Sequence, residues 1–249
     1  MDIAGQTALV TGGGSGLGAA TARKLAELGA HIVVLDRDAN AAEILATELG
    51  GTAHVADVTD EAAVQAAIDA GTKITGKPPT IVVNCAGIGT AARVVGREGP
   101  MALETFERVI RVNLIGTFNV CRLAATAMAV AEASGVIINT ASVAAFEGQI
   151  GQAAYAASKG GIVSLALPMA REFSRFGIRV NTIAPGIFIT PLLGTLPEEA
   201  QNALAAGIPY PSRLGDPSEF ARTVQYCVEM DYLNGEVIRL DGATRLAPK

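Results

Sequence analysis

A tyrosine and a lysine stand four residues apart in YAASK, Tyr155 to Lys159, in a chain that is 4% aromatic and 17% charged. Positions i and i+4 of a helix share one face, so the Lys159 ammonium and the Tyr155 hydroxyl can reach one site. A free tyrosine titrates near pH ~10, too high for an efficient base at neutrality. A nearby cation favours the phenolate, so the expectation is a Tyr155 pKa lowered by Lys159 and a hydroxyl able to take the proton of an alcohol. Ser142 closes the apolar run GVIINTAS, where a strand leaves a sheet, and its hydroxyl could hold a substrate oxygen for Tyr155. Singly, each residue has a plainer reading: Ser142 as a cap, Lys159 as a solvated helix face, Tyr155 as packing. What raises the set above those readings is a nucleotide loop elsewhere in the chain.

That loop is TGGGSGLG, Thr11 to Gly18, between an apolar run and a helical one. Gly12, Gly16 and Gly18 permit a tight turn and close backbone approach. With Ser15 and Leu17 between them, they leave the N–H groups of a helix N-terminus facing a pyrophosphate. Asp36, at the end of the second apolar run, is placed to bond adenosine ribose hydroxyls and to repel the additional phosphate of NADP, so NAD is the expected cofactor. Arg37 beside it works in the opposite direction, and capping of the helix begun by DANAAEI is the competing role for Asp36. Asp57 and Val58, after the third run, would hold the adenine ring. Asn84, Cys85, Ala86 and Gly87 end the fourth, on the side where open α/β sheets bind ligands.

The elements that must carry these residues alternate. TALVTG, HIVVLD, AHVADV, TIVVNCAG, GVIINTAS, IRVNTIAPG and EVIRLDG read as strands, separated by helical patterns such as GAATARKLAELGA and EAAVQAAIDAG. The expected fold is a Rossmann-like, doubly wound parallel sheet with helices on both faces, one domain over residues 1–249. Pro185 to Gly215 breaks the rhythm and is expected to be a lid.

Composition narrows the partners. With 249 residues, half of them hydrophobic, and a net charge of −5, the chain holds one large core and lacks the basic face of a general nucleic-acid binder. Cys85, Cys121 and Cys227 are widely spaced, suggesting neither a disulfide framework nor a zinc site, and no metal is expected. His31 and His54 read as partly buried packing residues in strands. The N-terminus enters an apolar strand without a signal-like pattern, and even LAATAMAVAEA is bounded by Arg122 and Glu132, so neither secretion nor a membrane span is expected. A cytoplasmic enzyme acting on a small molecule is the resulting expectation.

TGGGSGLG, NCAG, the serine of NTAS, YAASK and the PG of IAPG together resemble the short-chain dehydrogenase/reductase superfamily over the whole chain. The resemblance implies a catalytic set of Asn113, Ser142, Tyr155 and Lys159, with Asn113 binding a water that relays protons from Lys159, or else bracing its helix as a buried amide. It also implies cofactor contacts from Tyr155, Lys159, Pro185, Gly186, Phe188 and Thr190. NCAG and Asp241-Gly242-Ala243 depart from the family's usual N-N-A-G and D-G-G, and Cys85 is expected to be an inert thiol.

Within the superfamily, GVIINTASVAAFEGQIGQAAYAASKGGIV, IAPGIFITPLL, PYPSRLGDPSEFA and LNGEVIRLDGA are similar to the type 2 short-chain 3-hydroxyacyl-CoA dehydrogenases, also described as mitochondrial-type 17β-hydroxysteroid dehydrogenases. The implied reaction is NAD-linked interconversion of (S)-3-hydroxyacyl-CoA and 3-ketoacyl-CoA. Substrate contacts would come from Ser142, Gln149, Tyr155, Leu192 and Leu193, with Phe188, Thr190 and Pro191 extending the apolar wall. Arg93, Arg97 and Arg213 are scattered candidates for the CoA anion. A steroid, a 3-oxoacyl carrier-protein thioester or a non-enzymatic NAD-binding scaffold are the alternatives, and a homotetramer is implied.

Overall fold

The computed structural model describes residues 1–194 and 197–248, apart from the side chains of residues 192 and 200. The first half runs β1 (Thr7–Thr11), α1 (Gly16–Glu27), β2 (His31–Asp36), α2 (Ala39–Leu49), β3 (Thr52–Val55), α3 (Glu61–Thr75) and β4 (Ile81–Asn84). A small antiparallel hairpin, β5 (Val95–Gly96) with β6 (Gly99–Pro100), precedes α4 (Leu103–Ile110), a π-helical turn (Arg111–Ile115) and α5 (Gly116–Val130). Then come β7 (Gly135–Thr140), α6 (Ala153–Phe173), β8 (Ile178–Pro185), α7 (Pro191–Gly194), α8 (Glu198–Ala206), α9 (Pro217–Glu229) and β9 (Val237–Leu240).

Seven strands form one parallel sheet in the order β3-β2-β1-β4-β7-β8-β9. Helical crossovers place apolar surface on both faces, which is why the central strands need continuous rather than alternating hydrophobic runs. Along β1, Ala8 and Val10 join Leu25, Phe220 and Val224 on one face, while Leu9 joins Ile68, Val120 and Met128 on the other. All nine of these residues are fully buried. The chain order reverses between β1 and β4, so their carboxyl ends splay apart into a crevice; Thr11 pairs with Asn84 at its base.

Three details differ from the expectations. Leu103–Val130 is a continuous helix of 28 residues, long and apolar enough by length and composition to cross a membrane. Its apolar stretch is 56% buried, and Cys121, Ala124, Ala125 and Met128 pack in the core, which accounts for that composition. His31 is exposed at the start of β2 instead of packed, whereas His54 is half-buried with its pKa lowered by burial. The hairpin β5–β6 had no sequence signal beyond two glycines.

The segment expected to form a lid, 185–215, is partly helical, and residues 195 and 196 lie outside the described ones. It is pinned at both ends: Gly186 N–H donates to the Leu240 carbonyl at 2.9 Å, and Gly215 N–H to the Ile187 carbonyl at 2.9 Å.

Candidate active site

The crevice between β1 and β4 opens into a cleft of about 430 Å³. The glycine loop forms one wall. Gly12 takes φ +61°, and a Cβ there would meet the Ala86 backbone nitrogen at 2.7 Å; a Cβ on Gly18 would run into the Gly12 carbonyl. The loop is therefore closed by backbone against backbone, which no side chain at those positions allows. Ser15, the N-cap of α1, makes no side-chain capping bond, so its helix presents first-turn N–H groups toward the cleft. Gly12, Ser15, Gly16, Leu17 and Gly18 all line it.

Asp36 closes the far end. One carboxylate oxygen accepts the Gly14 N–H at 2.9 Å and the other the Asp38 N–H at 3.0 Å, so the group is locked in orientation by the loop itself. The competing cap role falls to another residue: Asp38 is the N-cap of α2, accepting from Ala41 N–H at 3.1 Å. Asp57 and Val58 line the cleft as expected, with Asp57 holding a tight turn by accepting from the Thr59 N–H and hydroxyl at 2.8 Å each. Cys85, Ala86, Gly87 and Thr190 line it too.

Leu35, Ala56, Ile88, Val112 and Pro191 also line the cleft. Four of these adjoin a residue or loop that sequence reasoning singled out, and that adjacency was the available signal; Pro191 was read instead as substrate wall. Asn84 lies beneath the floor, its amide donating to Asn139 at 2.9 Å in a buried cluster with Cys121. Pro185 and Gly186 do not line the cleft; Pro185 pairs with Leu240 in the sheet. Phe188 turns inward, buried in the core with its ring edge-on to Phe220 at 6.5 Å, and does not line the cleft. Cys85 is inert: burial pushes its thiol up to about 11.

Behind Gly87 stand the residues expected to be catalytic. Lys159 is buried, and its ammonium donates to the Thr140 carbonyl at 2.7 Å. The same Nζ is 3.6 Å from where a Gly87 Cβ would lie, and the Asn113 Oδ1 is 3.2 Å from that point. Tyr155 shares the Lys159 face of α6, with the ammonium 5.8 Å from its ring centroid. Tyr155 differs from expectation: burial is the larger influence and raises its pKa, while the Ser142 hydroxyl acts in the lowering direction. Burial also lowers Lys159, to about 8. Both follow from taking a charged form out of water.

Ser142 is buried at the end of β7, where its hydroxyl accepts the Ala144 N–H at 3.1 Å, so it caps a turn and faces Tyr155 at once. Asn113 lies in the π-helical turn. Its Oδ1 accepts the Ile88 N–H at 2.8 Å, and its amide donates to the Ile88 carbonyl at 2.9 Å and to the Ser158 hydroxyl at 3.0 Å. The side chain braces the loop after Gly87, while Thr117 donates to the Asn113 carbonyl at 2.7 Å. Extra-wide turns of this kind recur at functional sites.

Gln149 lines a second cavity, of about 580 Å³, at the start of α6 with Arg93, Val94, Val95 and Ile150. Leu193 sits on α7, partly exposed and outside that lining; the Leu192 side chain lies outside the described residues. Arg213 forms a two-bonded pair with Glu219 at 2.8 Å, which ties it to the first turn of α9.

A family model described as short chain dehydrogenase matches residues 6–201. The 3-hydroxyacyl-CoA dehydrogenase type-2 of Bos taurus is 54% identical over an alignment of 255 residues, covering 99% of this chain and 97% of that one. The Homo sapiens protein of the same name is 52% identical with the same coverage. A crystal structure of 3-hydroxyacyl-CoA dehydrogenase type-2 from Mycobacterium avium superposes with a TM-score of 0.92, at 42% identity over 98% of each chain.

Proposed function

The chain belongs to the short chain dehydrogenase family, and from that premise we propose that it interconverts (S)-3-hydroxyacyl-CoA and 3-ketoacyl-CoA with NAD, in fatty acid β-oxidation. The observation that carries the reading is the meeting of Tyr155, Lys159 and Ser142 beside Gly87, at the inner end of a cleft built for a dinucleotide. The identity to 3-hydroxyacyl-CoA dehydrogenases type-2 supports the substrate class.

NAD fits the residues present. The Gly12–Gly18 turn leaves backbone N–H groups for the pyrophosphate, and Asp36, pre-oriented by Gly14, suits ribose hydroxyls and opposes the phosphate of NADP. When bound, the cofactor accepts or returns the hydride of the carbinol carbon. Ser142 donates to the substrate oxygen and holds it at Tyr155. In oxidation the Tyr155 oxygen takes the alcohol proton; in reduction its hydroxyl delivers one to the carbonyl oxygen. Lys159 keeps a positive charge behind the site and favours the phenolate in the step that needs it. Asn113 holds the Ile88 loop and, in this reading, a water that passes protons between Lys159 and solvent.

The second cavity suits the acyl thioester: Val94, Val95 and Ile150 offer exposed apolar surface, Arg93 stands beside them, and Arg97 is exposed on the adjoining hairpin turn. The proposal includes a cytoplasmic homotetramer acting on this small molecule, without nucleic acid or membrane. NADH absorbance followed with acetoacetyl-CoA, with a steroid ketone, and with NADPH in place of NADH tests it. Rapid turnover of acetoacetyl-CoA with NADH is expected; turnover of the steroid alone, or preference for NADPH, would replace this reading with a steroid or biosynthetic reductase, and no turnover in any arm with a scaffold.

A further inference from the structure

The loop between Ser142 and α6 is tied to the far end of the chain. Arg239, on β9, donates to both Glu147 carboxylate oxygens at 2.6 and 2.9 Å, and its guanidinium carbon lies 5.1 Å from the Phe146 ring centroid. The same guanidinium donates to Asp241 at 2.8 Å and to the Thr244 carbonyl at 3.1 Å. Arg245 closes the group, 3.1 Å from Asp241 and 3.5 Å from Glu147. The chain end then adds two bonds of its own: Gln149 donates from Nε2 to the Ala247 carbonyl at 3.0 Å, and Ile150 N–H to the Pro248 carbonyl at 3.0 Å.

Two features make this more than a stabilising contact. The Arg239 and Glu147 side chains are each 23% exposed and Asp241 8%, so the cluster bears desolvation costs that an apolar patch would avoid. What a two-bonded guanidinium–carboxylate pair adds is fixed geometry. The loop it fixes, VAAFEGQIGQAA, is rich in glycine and alanine. Within it Gln149 N–H donates to the Gln152 side-chain oxygen at 3.0 Å and the Gln152 amide to Gln149 Oε1 at 3.4 Å, so it is the Arg239 and chain-end contacts that tie this turn, with Gln149 and Ile150 at the second cavity, to the rest of the fold on that side.

We propose that Arg239 is a positioning residue for substrate recognition: through Glu147, and together with the Ala247 carbonyl, it holds Gln149 at the cavity that receives the acyl thioester. Specificity for the acyl portion is thus set from the C-terminal end of the chain. The inference rests on the reading that this cavity receives the substrate of a hydroxyacyl-CoA dehydrogenase.

The test compares steady-state kinetics of the full chain with acetoacetyl-CoA and NADH for the unmutated protein, Glu147→Gln, Arg239→Gln, Arg239→Lys, Gln149→Ala and the Arg239→Gln/Gln149→Ala double variant. Arg239→Gln and Glu147→Gln are expected to raise KM about three- to tenfold, with kcat and NADH affinity within about twofold, because the two-bonded anchor is lost while the reacting groups stay in place. Arg239→Lys should recover part of the loss. Adding Arg239→Gln to Gln149→Ala should raise KM no further, a non-additivity that a purely structural role would not produce. If Arg239→Gln fails to fold, Glu147→Gln and Arg239→Lys carry the same comparison. The inference is overturned by an unchanged KM in the folded variants, or by an increase of equal size with and without Gln149. No turnover by the unmutated protein instead overturns the functional reading itself.

Discussion

The Lys159 ammonium donates to the Thr140 carbonyl at 2.7 Å and stands 5.8 Å from the Tyr155 ring centroid. The cation is thus held by the backbone of β7 while the tyrosine shares its helix face, and burial acts on both, raising Tyr155 and bringing Lys159 down to about 8. Alcohol oxidation needs the phenolate and ketone reduction the phenol, so oxidation is expected to rise and reduction to fade as pH increases through the alkaline range. Lys159→Met removes the cation and should move the rise in oxidation to higher pH. An unchanged profile would assign the lysine to binding alone.

Stability should respond to the same substitution in the opposite sense to activity. The folded pKa of Lys159 is depressed, so the unfolded chain binds more protons between pH about 8 and about 10.4, and the unmutated protein gains stability as pH rises through that window. At pH 7 the buried ammonium works against folding by at most about 3 kcal/mol, offset in part by its bond to Thr140. Lys159→Met is therefore expected to hold or raise Tm at pH 7, with an advantage that shrinks above pH 8. Thermal melts at pH 7 and 9.5 check this, and a lower Tm at pH 7 contradicts it.

Tyr155→Phe removes one hydroxyl and little else. The expected loss in kcat is on the order of a hundredfold or more, with NADH affinity and Tm near those of the unmutated protein, because only the proton transfer is taken away. Substantial turnover in this variant would remove Tyr155 from its role.

Gly18→Ala should cost far more than its one methyl suggests. The new Cβ would overlap the Gly12 carbonyl, part of the backbone that closes the loop, so the turn must open. Loss of NADH binding is expected, measured by fluorescence titration, alongside a stability loss of about 1–3 kcal/mol from overpacking. Normal NADH affinity would show that the loop yields without cost.

Asp36→Ala tests the choice of cofactor. The carboxylate that opposes the phosphate of NADP is lost together with its bonds to Gly14 and Asp38. The ratio of kcat/KM for NAD over NADP should fall by about tenfold or more, on the scale of one lost charged hydrogen bond. A ratio that does not move would place the selectivity elsewhere in the cleft.

Much of this was legible in single motifs because local backbone needs carry it. Gly18 must be a glycine because of the Gly12 carbonyl six residues away and Gly12 takes a positive φ, although the close approach of Ala86 to Gly12 is a tertiary contact; Tyr155 and Lys159 meet because a helix repeats every 3.6 residues. Asp36 could be placed at the cleft from its position at the end of β2, although which aspartate capped α2 depended on two residues of register.

The amino-acid sequence by itself determined the seven strands of the parallel sheet, the edge at which the crevice opens and the residue types gathered there, since periodicity and chain order are local properties. Tertiary structure alone decided the rest. The inward turn of Phe188 onto Phe220 follows from packing between segments that the sequence keeps more than thirty residues apart. The opposite shifts of Tyr155 and Lys159 follow from burial, which strand and helix docking creates and no spacing reports. The grip of Arg239 on Glu147, 92 residues away, exists because β9 joins the sheet edge beside the end of β8, and that brings the chain end back over the loop after Ser142.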